Sequence, residues 1–148
     1  MSRVLAVDLG EKNVGLAISD QLGWTAQGLP NLNYQNNQQA IAEIARLTKE
    51  YDVVEVVVGM PVNMNGSLGK QARRASKFAE ELGTRLKLPV RIWDERLTTM
   101  QAQRLLLQAS LSRKKRRSKI DRLAAQLILQ SYLDSRGQLE DVSKDNTE

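Results

Sequence analysis

The 148-residue sequence predicts a single α/β domain on a mixed five-stranded sheet, an antiparallel meander extended by parallel strands, with helices on both faces. Three observations predict it. Two short β-branched runs near the N-terminus are joined by a polar connector of hairpin length. After Gln35 the apolar spacing takes a helical period, and strand-like and helix-like segments then alternate in the order of right-handed crossover units. The length suits one hydrophobic core and is too short for two of enzymatic complexity.

Arg3 to Asp8 (RVLAVD) reads as the first strand and Val14 to Ser19 (VGLAIS) as the second. A turn at Asp20 to Gly23 leads into a weaker extended stretch, Thr25 to Asn33, whose Gly28 and Pro30 suit a sheet edge. From Gln35 to Tyr51, Ile41, Ile44, Ala45 and Thr48 fall on one helical stripe. Val53 to Gly59 (VVEVVVG) is a near-continuous β-branched run, the pattern of a strand buried on both faces by parallel pairing. A polar loop, Met60 to Leu68, precedes a helix from Gly69 to Lys87 with Ala75, Phe78, Ala79, Leu82 and Leu86 inward. Pro89 to Asp94 is a short last strand. Thr98, with Gln101 at capping-box spacing, opens a helix striped by Ala102, Leu105, Leu106 and Ala109. Ser118 caps a final helix, Lys119 to Ser135, whose Ile120, Leu123, Ala124, Leu127 and Ile128 face the core. The domain is thus expected over 1–136, with 137–148 a polar, acidic and disordered tail.

Composition narrows the chemistry. With no cysteine and no histidine, the chain has no catalytic triad, no Cys/His dyad and no thiolate or imidazole zinc site. Reactivity falls to carboxylates, hydroxyls, amines and guanidinium groups. Carboxylates are hard ligands, so a metal here is expected to be Mg²⁺ or Mn²⁺. The lack of cysteine fits a reducing compartment, and neither a signal peptide nor an apolar membrane span is evident, so a cytoplasmic, soluble protein is expected.

The net charge of +5 comes from 22 basic and 17 acidic residues, and Arg113, Lys114, Lys115, Arg116, Arg117 and Lys119 supply six of the positive charges. The body is otherwise nearly neutral. A local basic patch of this kind is expected to bind a polyanion, the alternative being a solvated loop.

In open α/β sheets the functional crevice lies beyond the strand ends. Asp8 ends the first strand, Asp94 and Glu95 end the last, and Asp121 lies in the first turn of the final helix. Three acidic positions from distant parts of the chain could converge on a divalent cation pair. Each also has a plainer reading. Asp8 suits a turn, Asp94 or Glu95 could pair with Arg91 or Arg96, and Ser118 with Asp121 has capping-box spacing. Glu11, Asp20 and Asp52 read as structural. The amide- and glycine-rich loop Gly59 to Gly69, ahead of a helix N-terminus, suits a phosphate or is simply a turn at Asn65-Gly66. The spacing Asp8-x-Gly10 with Gly15 also occurs in proteins that close two domains around a nucleotide, which one domain cannot do.

Four pieces in order, VDLGEKNVGLAISD around Asp8, VVGMPVNMNGSLG around Gly59, WDERLTT around Glu95 and SKIDRLAAQLILQSYL around Asp121, resemble the YqgF family. These are bacterial pre-16S rRNA nucleases, also described as Holliday junction resolvases. The resemblance runs from Arg3 to about Leu133, with one departure at Asn13, where the family pattern has arginine. It implies a ribonuclease H-like fold, nuclease activity on structured nucleic acid, and processing of the 5′ end of small-subunit rRNA precursor. It also implies that Asp8, one of Asp94 and Glu95 (Glu95 favoured), and Asp121 match the metal-binding acids of that superfamily. Candidate nucleic-acid contacts are Lys12, Asn63, Asn65 and Arg96 with the basic run Arg113, Lys114, Lys115, Arg116, Arg117 and Lys119. With one Phe, two Trp and three Tyr, recognition of backbone and shape is expected over base stacking. A resolvase would need two sites in a two-fold dimer, and the sequence leaves monomer or homodimer open. A non-catalytic ribosome-assembly module is the reading from another class.

Overall fold

A computed structural model describes residues 3–63, 65–97 and 124–136. In chain order it contains β1 (Arg3–Leu9), β2 (Asn13–Ser19), β3 (Ala26–Asn33), α1 (Asn37–Glu50), β4 (Val53–Met60), α2 (Lys70–Leu86), β5 (Val90–Asp94) and a 3₁₀ turn, Glu95–Leu97. A further helix, α3, covers 124–136. The helix expected from Thr98, the basic run, the cap at Ser118, Asp121 and the tail from Gly137 all lie outside the described residues.

The five strands form one sheet in the order β3-β2-β1-β4-β5. β2 pairs antiparallel with β1 and β3, whereas β1 with β4 and β4 with β5 pair parallel. This is the expected meander extended by crossovers. Side-chain alternation divides the core in two. Leu5, Val7, Val14, Leu16, Ile18, Val56 and Val58 pack with Ile44 of α1 and Phe78 and Leu82 of α2. On the opposite face, Val4, Ala6, Ala17 and Val57 pack with Ala125, Ile128, Leu129 and Leu133 of α3. The small Ala6, Ala17 and Ala125 let α3 lie close to the sheet.

The details differ from expectation in physically simple ways. β4 is buried on both faces only from Val56 onward, since Val54 is 44% exposed at the strand's open end. The buried stripe of α1 begins at Ala40 and leaves Ala45 half-buried, and α2 starts its stripe a turn earlier, at Ala72. Asn36, one residue inside the expected start of α1, is its N-cap and accepts a 2.8 Å hydrogen bond from the Gln39 N–H.

Candidate active site

Because β1, β4 and β5 run parallel, their C-terminal ends gather at one edge of the sheet, joined there by the N-terminal end of β2. Asp8 sits at this edge, paired with Gly15 of β2. It shares the α3 face with Val4 and Ala6. The β1–β2 turn that holds it is tight. The Gly10 N–H donates to the Asn13 carbonyl at 2.8 Å, and a Cβ on Gly10 would lie only 2.8 Å from that same oxygen. Tyr34 braces the turn from outside, its hydroxyl donating to the Gly10 carbonyl at 2.9 Å. Arg74 of α2 donates in turn to the Tyr34 hydroxyl and to the Glu11 carbonyl.

The second acid arrives from β5. Pairing of Gly59 with Trp93 and Met60 with Asp94 ends the strand, and the 3₁₀ turn that follows folds Glu95 back over Gly59. A Cβ on Gly59 would come 3.1 Å from Glu95 Oε1 and 2.6 Å from Cδ1 of Ile128. Glycine at the end of β4 therefore leaves the space in which Glu95 and α3 meet.

In that space Glu95 hydrogen-bonds to Asp8, and its carboxyl is pushed up to about 8. Burial is the largest cause, followed by the Asp8 charge, the Asp8 hydrogen bond and the Asp94 charge. Burial and the Asp8 charge thus favour the protonated form of Glu95. Asp94 has the opposite environment. Arg96 donates to it from Nη2 at 2.6 Å, from Nε at 2.9 Å and from its backbone N–H at 2.9 Å, holding the carboxyl below its ordinary range. Adjacent acids thus part company: Glu95 meets Asp8, and Asp94 meets Arg96.

The other candidates fall as follows. Lys12 is exposed at the hairpin tip and lines a cleft of about 320 Å³ beside Asp8, along with Asn13, Gly15 and Asn31. Asn63 and Asn65 are engaged within their own turn. Asn63 donates to the Ser67 hydroxyl at 3.1 Å, and Asn65 Oδ1 accepts from the Ser67 backbone N–H and hydroxyl at 3.0 and 2.7 Å. Gly66 supplies the positive φ of 85° that the turn requires. Asp121 and Arg113 to Lys119 lie outside the described residues. Among the described residues no group of three potential ligands assembles, so the site visible here is a carboxylate pair. Gly59, Asn31 and the Tyr34–Arg74 brace were not anticipated, since each acquires its meaning from partners distant in sequence.

Two hard oxygen donors pressed together suit a divalent cation, which would relieve their repulsion. Asp8 and Glu95 could therefore hold Mg²⁺ or Mn²⁺.

The family described as "RuvX: Holliday junction resolvase" matches residues 2–135. The chain is 52% identical over 136 residues to the "Putative pre-16S rRNA nuclease" of Pelotomaculum thermopropionicum, covering 91% of this chain and 88% of that protein. It is 51% identical over 136 residues to the protein of the same name from Bacillus thuringiensis, covering 90% and 99%. Among solved structures it is similar to Thermus thermophilus RuvC in complex with a Holliday junction substrate, at 15% identity, 85% and 91% coverage and a TM-score of 0.52. The fowlpox virus resolvase bound to Holliday junction DNA is similar at 17% identity, 90% and 97% coverage and a TM-score of 0.53. The shared architecture is the ribonuclease H-like fold. No helix among the described residues is long and apolar enough to cross a membrane.

Proposed function

This chain belongs to the RuvX family, and we propose that it is a divalent-metal-dependent endonuclease acting in the cytoplasm on structured RNA, the precursor of small-subunit rRNA. The observation that carries this reading is the Asp8–Glu95 contact at the C-terminal edge of the parallel strands. In the reaction a water oxygen adds to phosphorus, the bond from phosphorus to the 3′ oxygen breaks, and that oxygen leaves with a proton. The products are a 5′-phosphate and a 3′-hydroxyl.

Asp8 and Glu95 would hold Mg²⁺ or Mn²⁺, with Asp121 proposed as the third acid. When bound, the ion supplies charge neutralisation at the scissile phosphate and makes water more acidic. The chain's own part is positional. Gly59 lets Glu95 lie against Asp8. The Asp94–Arg96 pair keeps the neighbouring carboxylate away from this role and fixes the turn that aims Glu95. Lys12 offers an ammonium at the mouth of the cleft to the phosphate backbone. The basic run Arg113, Lys114, Lys115, Arg116, Arg117 and Lys119 is proposed to track the backbone beyond it.

The test compares labelled precursor 5′ leader with a four-way DNA junction, in Mg²⁺ or Mn²⁺, for wild type and Asp8→Asn. Cleavage of the RNA by wild type alone supports the proposal. Paired symmetric nicks in the junction with the RNA intact would favour the resolvase activity in the family's description. Binding of both substrates without cleavage of either would leave a non-catalytic module.

A further inference from the structure

Asn31 lines the cleft beside Asp8 and has no part in the hydrolysis above. Gly15, across from Asp8 on β2, stands where the β2–β3 ladder slips. Val14 pairs with Leu32 and Leu16 with Leu29, so Gly15 alone opposes both Pro30 and Asn31. Asp8, Gly15 and Asn31 therefore lie in a row across three strands, and all three line the same cleft. Two strand spacings put the backbones of Asp8 and Asn31 roughly 10 Å apart. The glycine between them carries no side chain to interrupt the row.

Asn31 is half-buried, and its Oδ1 is sealed from solvent with no hydrogen-bond partner among the described residues. Leaving a carbonyl acceptor without a donor is costly, and a leucine or valine at this edge position would avoid that cost. Asn31 lines the cleft, and a rotation about χ2, a broad torsion, would bring Oδ1 out of its sealed position to it. A ligand that satisfies it must bring a donor. A phosphodiester has only acceptors and deoxyribose has no free hydroxyl within the strand. The one donor on a nucleic-acid backbone is the ribose 2′-hydroxyl.

We propose that Asn31 accepts a hydrogen bond from the 2′-hydroxyl of a ribose beside the scissile phosphate, and thereby makes this site select RNA over DNA. The proposal rests on the nuclease reading above and adds its sugar specificity. Asn31 is a specificity-determining residue: it touches the sugar, and the reacting atoms stay at Asp8 and Glu95.

The experiment maps the cleaved bond in the precursor leader and then replaces each flanking ribose singly by 2′-deoxyribose. Single-turnover rates are measured with wild type, Asn31→Ala and Asn31→Asp. One deoxy position is expected to slow wild type by about tenfold, the scale of one hydrogen bond. Asn31→Ala should cut the ribose and deoxyribose versions at the same reduced rate. Asn31→Asp has the same shape and keeps an acceptor, so it should retain the ribose-to-deoxyribose ratio although its charge lowers both rates. The melting temperature of Asn31→Ala should not fall below wild type, because the oxygen it removes has no donor. Equal slowing of wild type and Asn31→Ala by the deoxy substitution, or insensitivity of wild type to every deoxy position, overturns the proposal. Asp8-dependent cleavage with either of those results removes the sugar assignment alone. RNA cleavage that survives Asp8→Asn, or no RNA cleavage at all, removes the nuclease reading and this proposal with it.

Discussion

Replacing Glu95 by glutamine should change the pH dependence of stability in a direction that the Asp8–Glu95 contact dictates. In the folded, metal-free protein the Glu95 carboxyl is raised from its ordinary 4.5 to about 8. A group raised in this way contributes stability that is fully present below its unfolded pKa and is lost as pH climbs through the folded value. The window is therefore from about 4.5 to about 8. A tenfold change in proton affinity is worth about 1.4 kcal/mol, so the whole rise would amount to about 5 kcal/mol. Glu95 is only half-buried, and solvent screening reduces this to roughly 2 kcal/mol. Glutamine keeps the shape, can donate to Asp8, and never ionises. Urea unfolding with EDTA present should give wild type and Glu95→Gln similar stabilities at pH 5. By pH 8.5 the variant should be the more stable by roughly 2 kcal/mol. Parallel curves across that range would mean that the two carboxylates do not face one another, and the site as described would be wrong.

Three further outcomes follow from the same geometry. Gly59→Ala drives a methyl into Ile128 and Glu95, and denaturant unfolding should show a loss of about 1–3 kcal/mol, with cleavage falling further as Glu95 is displaced. Saturating Mg²⁺ should raise the melting temperature of wild type at pH 8 and leave that of Asp8→Asn nearly unchanged, while EDTA should abolish cleavage. If all six charges from Arg113 to Lys119 engage duplex, the slope of log K against log salt should be roughly −5, and a much flatter slope would remove this segment from the binding surface.

The strand order was legible because it follows from local signals. A connector of hairpin length forces antiparallel pairing of β1 with β2, and helical stretches between later strands force crossovers. Element ends agree to within a residue or two, for the same reason that caps and fraying ends are weakly encoded. The choice between Asp94 and Glu95 was harder to read. It depends on where β5 stops, since successive strand residues point to opposite faces and a turn re-aims the one that follows. The strand stops at Asp94 because Arg96 folds back onto it from a 3₁₀ turn, a contact only two residues long that sequence permits without requiring. The carboxamides of Asn63 and Asn65 looked available for phosphate, yet they close their own turn through Ser67. The packing role of Gly59, and any role for Asn31, could not be read from the sequence for a different reason. One matters because a helix about 70 residues later packs on it, and the other because a ladder slip sets it opposite Gly15 in the row that begins at Asp8.

The most direct test of the carboxylate pair is single-turnover cleavage of the precursor leader by Asp8→Asn, Glu95→Gln and Asp94→Asn, with RNA affinity measured in parallel by anisotropy. Asp8→Asn and Glu95→Gln should each lose on the order of a thousandfold or more in rate, the scale of removing a transition-state stabilising group, while still binding RNA. Asp94→Asn should stay within about tenfold of wild type, since an exposed ion pair with Arg96 contributes about 1 kcal/mol at most. Loss of cleavage in Asp94→Asn with full activity in Glu95→Gln would contradict the account.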